Sequence, residues 1–184
     1  MSEIQTPVLA VERAERLDDD DLSALCEAAD AAIIEGGGFG WVKSPGRTAL
    51  ESYFRGVLLV PERQLFVGRM DGVIVGSAQL LRPPRNNEAQ AFAATLMHSF
   101  IAPYARGHGL ARMITARVED TARSLGFHVL NLDVRETQEA AIKLYEGAGY
   151  ERWGEHPSYA RVGGKTIRGL FYYKRLRDGG RGNN

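Results

Sequence analysis

The chain has 184 residues, 44% of them hydrophobic, and its 23 Lys and Arg residues are balanced by 23 Asp and Glu residues. This length and composition suit one globular domain, and the balanced charge excludes a strong electrostatic attraction to nucleic acid or to a membrane surface. We expect a cytoplasmic protein, because Cys26 is the only cysteine, no apolar run is long enough to span a membrane and the first ten residues lack the pattern of a secretion signal.

Helical patterns dominate the first third of the chain, after a short predicted strand at Val8–Ala14. The acidic cluster Asp18–Asp21 can cap a helix and favours its dipole, and the glycines at Gly36–Gly38 end that helix. A second amphipathic helix is predicted over Arg47–Leu59, because its apolar residues recur at helical spacing and Pro61 follows.

Three predicted strands come next. Gln64–Arg69 and Val73–Leu81 flank Asp71-Gly72, a pair typical of a tight hairpin turn. Alternating apolar residues predict a third, longer strand over Gln90–Ile101. One face of this strand is expected to carry three apolar residues and a histidine, namely Phe92, Leu96, His98 and Phe100.

The remaining chain predicts a helix, a strand, a second helix and a closing hairpin. The first helix is predicted to run to Leu125, with Gly126 ending it, and a strand follows over Val129–Val134. The second helix is predicted over Gln138–Gly147, and the strands of the hairpin over Tyr150–Tyr159 and Ile167–Leu176. We expect residues 1–177 to form a single domain and residues 178–184, rich in glycine and polar residues, to be a disordered tail.

The segment Arg106-Gly107-His108-Gly109-Leu110-Ala111 lies between the strand ending at Ile101 and the helix that follows. The N–H groups and the dipole of a helix N-terminus attract anions, and glycine lets the backbone approach a ligand closely. Because Arg106 adds a positive charge, we predict that the segment binds a pyrophosphate. A dinucleotide-binding turn is excluded, since Arg112 stands where the third glycine of that motif would be.

Two motifs identify a family resemblance. The pattern Gln/Arg-x-x-Gly-x-Gly/Ala, met by Arg106, Gly109 and Ala111, resembles the coenzyme A-binding segment of the GNAT acyltransferase superfamily. Leu132–Arg135 followed by Ala140–Tyr150 is similar to a strand and helix of that family that end in the motif A-x-x-L-Y-x-x-x-G-(F/Y). The resemblance implies an α/β (α+β) GNAT fold, a mixed, mostly antiparallel sheet of about seven strands flanked by about four helices.

The resemblance also implies acetyl-CoA as the donor substrate, with no metal. Its pantetheine arm would pair with the strand end at Phe100 and Ile101 like an added strand. Its pyrophosphate would bind the N–H groups of His108–Ala111, with Arg106 nearby. Gln138 stands where many members of the family carry Asn, and it keeps an amide that could contact the pantetheine arm.

Acetyl transfer to an amine requires a neutral amine, a stabilised oxyanion and a proton for the leaving thiolate. Tyr145 matches the motif tyrosine that stands near the coenzyme sulfur in the family, so the resemblance implies that it is the general acid. Asp133 is a candidate general base, although pairing with Arg135 would make it a weaker one. His98 and a water molecule are the alternatives. Cys26 is expected in the core, which disfavours an acyl-cysteine route.

The acceptor is expected to be the primary amine of a small molecule, attacking directly in a ternary complex. Trp41 and Tyr159 are candidate walls for an apolar or ring-bearing acceptor, and both could equally be core residues. Two alternatives stay open: an acetyltransferase of a protein N-terminus or lysine, and a non-catalytic coenzyme A-binding regulatory module. Homodimers are common for the fold, so a homodimer is possible, although no residue pattern fixes an interface.

Overall fold

The computed structural model describes residues 6–37 and 39–176. Within those residues the chain forms strands and helices in the predicted order. The strands are β1 (Leu9–Ala14), β2 (Arg63–Met70), β3 (Val73–Leu81), β4 (Ala93–Ile101), β5 (Val129–Arg135), β6 (Glu151–Val162) and β7 (Lys165–Arg175). The helices are α1 (Asp19–Ile34), α2 (Arg47–Leu59), α3 (Leu110–Ser124) and α4 (Glu139–Gly147). None of the helices in these ranges is long and apolar enough to cross a membrane.

The seven strands of the described chain join one sheet, in the order β1-β2-β3-β4-β5-β7-β6. β4 and β5 run parallel, with Ala93 opposite Val129 and Thr95 opposite Asn131. The pairs β1–β2, β5–β7 and β6–β7 are antiparallel. This mixed, mostly antiparallel sheet, together with the helices, confirms the predicted fold class.

The described residues group into two compact units. The first comprises the residues up to Gln79 together with His98–Arg117, and the second comprises Leu80–Met97 together with the residues from Val118 onward. The single domain over residues 1–177 stays a prediction. The expected disordered tail at 178–184 lies outside the described residues.

The first unit is built around α1 and α2, whose apolar faces share one core with β2. α1 begins after Asp18, whose carboxylate accepts a hydrogen bond from the amide of Asp21 at 2.8 Å, as expected of a helix cap. α2 occupies the predicted range. The almost fully buried residues at the centre of this core include Leu25, Cys26, Ile33, Leu50, Phe54, Leu65 and Val67.

In the second unit, the side chains of β5 alternate between two faces. Leu130, Leu132 and Val134 are buried, whereas Asp133 is exposed. β6 and β7 form the predicted closing hairpin across its two-glycine turn. One face of β5 therefore supports the core, and the other presents polar side chains to solvent.

Two details of β4 differ from the prediction. The strand begins at Ala93 rather than at Gln90, because a single 3₁₀ turn occupies Glu88–Gln90. Phe92 is therefore 51% exposed instead of lying on the buried face. His98 has a φ of +52°, which interrupts the regular alternation of side chains along the strand.

Candidate active site

The glycine turn predicted to bind pyrophosphate ends where α3 begins. Gly107 and Gly109 both have a φ of +85°, a conformation that favours glycine. The carbonyl of Gly109 accepts the amide of Met113 at 3.2 Å, so the N–H groups of the first turn of α3 have no acceptor within the helix. A Cβ at either glycine would meet no heavy atom of the described chain within 4 Å. Open space beside these N–H groups fits an anion such as pyrophosphate.

Arg106 ties this turn to two other segments of the first unit. Its Nε donates to the carbonyl of Ile101 at 3.2 Å, and its guanidinium forms an ion pair with Glu35, which flanks the C-terminal end of α1. The positive charge predicted beside the phosphate site is therefore compensated by a carboxylate. Both side chains are nearly half exposed, so this ion pair contributes little to stability.

Gly76 on β3 lets the end of β4 pack closely. Phe100 and Ile101 are buried, and the amide of Ala102 donates to the carbonyl of Val75 at 2.8 Å. A Cβ on Gly76 would lie 2.6 Å from the carbonyl oxygen of Phe100 and 2.5 Å from Cδ1 of Ile101. Only glycine fits this position, a requirement that sequence reasoning missed because it depends on a neighbouring strand.

A chain of hydrogen bonds in the first unit runs from Arg63 to His98. Arg63 can only donate, so it binds Oε1 of Gln79 at 3.2 Å and leaves Nε2 of Gln79 to donate to the Tyr53 hydroxyl at 2.9 Å. The Tyr53 hydroxyl is in turn hydrogen-bonded to Nδ1 of His98 at 2.6 Å. Burial raises the pKa of Tyr53, so this hydroxyl keeps its proton. Nδ1 of His98 is therefore engaged by a phenol that stays protonated.

Trp41 belongs to the aromatic cluster around this histidine. Its ring centroid lies 5.1 Å from that of Tyr53 and 5.6 Å from that of Phe39. The side chain is half-buried and packs against the core of the first unit. Trp41, which was predicted to line the acceptor pocket, is thus held in place by core residues and still exposes part of its side chain.

Tyr145 and Gln138 are both positioned by α4, in the second unit. Tyr145 is 6% exposed, and its ring meets that of Tyr150 edge-on with centroids 5.5 Å apart. Burial raises the pKa of Tyr150, whose ring also lies beneath the ammonium group of Lys174. Gln138 directly precedes the helix, and its carbonyl accepts the first helical hydrogen bond at 3.0 Å.

Asp133 and Tyr159 contact each other in the second unit. The Tyr159 hydroxyl donates to Oδ2 of Asp133, and burial together with this carboxylate raises the pKa of Tyr159. The register of β6 shifts between His156 and Ala160, and Tyr159 within this stretch lies over Gly169 of β7. A Cβ on Gly169 would stand 2.2 Å from Cγ of Tyr159, so glycine is required there. Sequence reasoning missed this second glycine as well.

The predicted site residues are divided between the two units. The first unit holds the glycine turn, the strand end at Phe100 and Ile101, and Trp41, and the second holds Asp133, Gln138, Tyr145 and Tyr159. Among residues 6–37 and 39–176, no cluster of three or more His, Cys, Asp or Glu side chains is placed to hold a metal ion. Cys26 is 1% exposed, and burial raises the pKa of its thiol to about 11.

The sequence pattern of the acetyltransferase (GNAT) family matches residues 29–150, which include the glycine turn, Asp133 and Tyr145. The chain belongs to this family. It is accordingly an N-acetyltransferase with acetyl-CoA as its donor substrate.

Particular relatives agree with this assignment. The chain is 65% identical over 130 residues to an uncharacterized N-acetyltransferase from the hisH–hisA intergenic region of Azospirillum brasilense, covering 71% of this chain and 77% of the relative. It is 30% identical over 115 residues to the N-alpha-acetyltransferase RimI of Mycobacterium tuberculosis, covering 60% of this chain and 66% of the relative. The structure of yncA from Salmonella typhimurium, a candidate acetyltransferase solved with acetyl-CoA, shares the fold with a TM-score of 0.75 at 19% identity, covering 95% of this chain and 98% of that one.

Proposed function

We propose that the protein transfers the acetyl group of acetyl-CoA to the primary amine of a small molecule, which attacks the thioester directly in a ternary complex. The observation that carries the proposal is the exposed carboxylate of Asp133, held by the Tyr159 hydroxyl. Such a carboxylate attracts an alkylammonium group and can accept its proton. The ring of Phe171 lies 5.8 Å from that of Tyr159, which adds an apolar surface for a ring-bearing acceptor.

The pyrophosphate of the donor is assigned to the glycine turn. The N–H groups from His108 to Ala111 hold it, and Arg106 exchanges its bond to Glu35 for one to a phosphate oxygen. The positive φ of Gly107 and Gly109, with open space beside both, supports this assignment.

The pantetheine arm is assigned to the end of β4. The main chain of Phe100 and Ile101 binds the arm as an added strand, and the amide of Gln138 provides a polar contact. The fixed position of this strand end, which a side chain at Gly76 would disturb, supports the assignment.

Two residues are assigned to proton transfer. An alkylammonium group with a pKa near 10 must lose its proton at pH 7 at a cost of about 4 kcal/mol, and Asp133 accepts that proton. The Tyr145 hydroxyl donates a proton to the leaving thiolate. His98 is less suited to the role of base, because its Nδ1 is already hydrogen-bonded to the Tyr53 hydroxyl. The buried, neutral thiol of Cys26 supports transfer without an acyl-enzyme.

A panel of acceptors tests this proposal. Free thiol released from acetyl-CoA is followed in the presence of small primary amines, peptides with a free N-terminus, and lysine peptides with a blocked N-terminus. We expect small amines to saturate the rate and initial-velocity plots to intersect, as in a ternary complex. Stimulation by peptides alone would contradict a small-molecule acceptor, and parallel plots would contradict direct transfer.

A protein N-terminus is the second candidate acceptor. The specific observation in its favour is the similarity to the Mycobacterium tuberculosis relative, which is named an N-alpha-acetyltransferase. The peptide arm of the same panel distinguishes the two.

We also propose a cytoplasmic location, because a single cysteine is typical of proteins in a reducing compartment. A homodimer stays a prediction.

A further inference from the structure

A cavity of about 460 Å³ opens in the second unit, on the face of β5 that carries Val129 and Asn131. Its walls come from the turn after β3, the start of β4, β5, and the β6–β7 hairpin. None of the residues assigned above to the donor, the acceptor or proton transfer lines it. Its size lies within the range of small-molecule sites, roughly 300–1,000 Å³.

One N–H group of a half-buried arginine in the cavity wall is buried without a hydrogen-bond acceptor. Nε of Arg82 is buried and has no hydrogen-bond acceptor in the described chain. No carboxylate is among the described residues that line the cavity, and nearby Glu151 already accepts the hydroxyl of Tyr173 at 3.1 Å. A buried N–H group of a guanidinium is costly unless it is hydrogen-bonded, and a carboxylate is the acceptor that matches its planar geometry. Arg82 therefore points to an anionic ligand.

Two large rings are exposed at the same cavity. Phe92 is 51% and Trp153 is 65% exposed, and both line it. Trp153 stands where the register of β6 shifts between Arg152 and Gly154, and such bulges re-aim a side chain. The carbonyl of Phe92 accepts the amide of His128 at 2.8 Å, which fixes the position of its backbone. Exposed rings held in this way favour a ligand with a planar apolar group.

The turn that forms one wall is held in place by its own hydrogen bonds. The amide of Asn87 donates to the carbonyl of Pro84 at 3.0 Å, and the side-chain amide of Asn87 donates to Oε1 of Gln90 at 2.9 Å. A wall ordered before binding lowers the entropic cost of binding a ligand.

We propose that this cavity binds a small monocarboxylate that carries an aromatic ring. Arg82 donates to the carboxylate, and the ring packs on Phe92 and Trp153. One positive charge matches one negative charge, which favours a carboxylate over a doubly charged phosphate. None of the residues that line this site is assigned to acetyl transfer, although the ring of Trp153 lies 5.7 Å from that of Phe171. The proposal does not depend on the acceptor proposed above.

Phenylacetate is the probe for this site, with phenylacetamide as the uncharged control and acetate as the control without a ring. The probes are titrated into Trp41→Phe protein, in which tryptophan emission comes from Trp153 because the chain has two tryptophans. We expect saturable quenching or enhancement by phenylacetate, and binding of both controls that is weaker by about tenfold or more.

Arg82→Gln, made in the same background, should weaken phenylacetate binding by about tenfold or more, because a charge-assisted hydrogen bond is lost. Arg85→Gln is the matched control, since it removes an exposed arginine outside the cavity and should leave affinity unchanged. Absence of saturable binding, or equal affinity for phenylacetate and phenylacetamide, would overturn the proposal. So would unchanged affinity in folded Arg82→Gln protein.

Discussion

At the scale of single residues, Asp133 depends on two neighbours for its orientation. The Tyr159 hydroxyl donates to one carboxylate oxygen, and Gly169 makes room for the ring of Tyr159. Because burial raises the pKa of Tyr159, this phenol remains a donor near neutral pH. A carboxylate held in this way is well suited to receive an ammonium group.

Asp133→Asn should lower kcat for a small amine on the order of a hundredfold, because a general base contributes about that much or more. The variant keeps the shape of the side chain and an oxygen for the Tyr159 hydroxyl. Tyr159→Phe, which retains the carboxylate, should lower kcat by about tenfold or less. Steady-state rates at saturating acetyl-CoA measure both. If Asp133→Asn kept the wild-type kcat and His98→Gln lost most of it, His98 rather than Asp133 would be the base.

At the scale of elements, α3 begins and ends at glycines of similar conformation. Gly109 precedes it with a φ of +85°, and Gly126 follows it with a φ of +91°. A Cβ at either position would meet no heavy atom of the described chain within 4 Å. The two ends therefore impose the same backbone requirement, but only the N-terminal end attracts anions.

Gly109→Ala and Gly126→Ala should each cost about 1 kcal/mol of stability, because alanine is strained at positive φ. Only Gly109→Ala should also raise KM for acetyl-CoA, by about tenfold, because the altered turn moves the N–H groups away from the pyrophosphate. Thermal unfolding and acetyl-CoA titrations separate the two effects. An equal rise of KM in both variants would mean that the turn does not bind the donor.

A bidentate ion pair between Asp21 and Arg69 connects α1 to β2. Both terminal nitrogens of the Arg69 guanidinium donate to the carboxylate of Asp21 at 2.7 Å. These hydrogen bonds hold the pKa of Asp21 below its usual value. The stabilisation is therefore fully present above the unfolded-state pKa, near pH 4, and is lost as pH falls through the lower pKa of the folded state.

Asp21→Asn should destabilise the protein by about 1 kcal/mol at pH 7, because the charge-assisted bonds are replaced by a neutral one. The difference in unfolding midpoint between wild type and variant should shrink as pH falls below about 4. Chemical denaturation at a series of pH values measures it. A difference that stays constant down to the lowest pH would show that the ion pair does not contribute.

The sequence predicts the helices of this fold better than the start of β4. α2 occupies its predicted range, and α1 begins at its predicted acidic cap, because caps, glycines and Pro61 are local signals. The predicted start of β4 at Gln90 is wrong, since alternation continues into residues that form a 3₁₀ turn. Sequence periodicity alone does not distinguish the two.

The site is less predictable where it depends on close approach between elements. Gly76 and Gly169 are required by neighbours on other strands, and no local pattern distinguishes them from glycines in open turns. The hydrogen bond between Tyr53 and His98 joins residues that are 45 positions apart. The glycine turn before α3 was predictable because its conformation follows from residues adjacent in sequence.

At the scale of the whole molecule, the lone cysteine lies in the core of the first unit and not at a reactive surface. Cys26→Ala should therefore retain transfer activity within about twofold while losing some stability to the small cavity it creates. In the native protein the thiol should react slowly with a thiol reagent, because it is buried and burial raises its pKa to about 11. Loss of turnover in a folded Cys26→Ala protein would instead support transfer through an acyl-cysteine intermediate.

The proposed acetyl transfer is tested most directly by amine-dependent release of free thiol from acetyl-CoA, measured for wild type and Tyr145→Phe side by side. We expect a small primary amine to stimulate thiol release in the wild type, and we expect this release to fall by about tenfold or more in Tyr145→Phe while the affinity for acetyl-CoA is preserved. Equal rates in the two proteins would contradict the role of Tyr145 as proton donor. Tight binding of acetyl-CoA with no release in the presence of any amine would contradict the transferase mechanism and favour a regulatory coenzyme A-binding module.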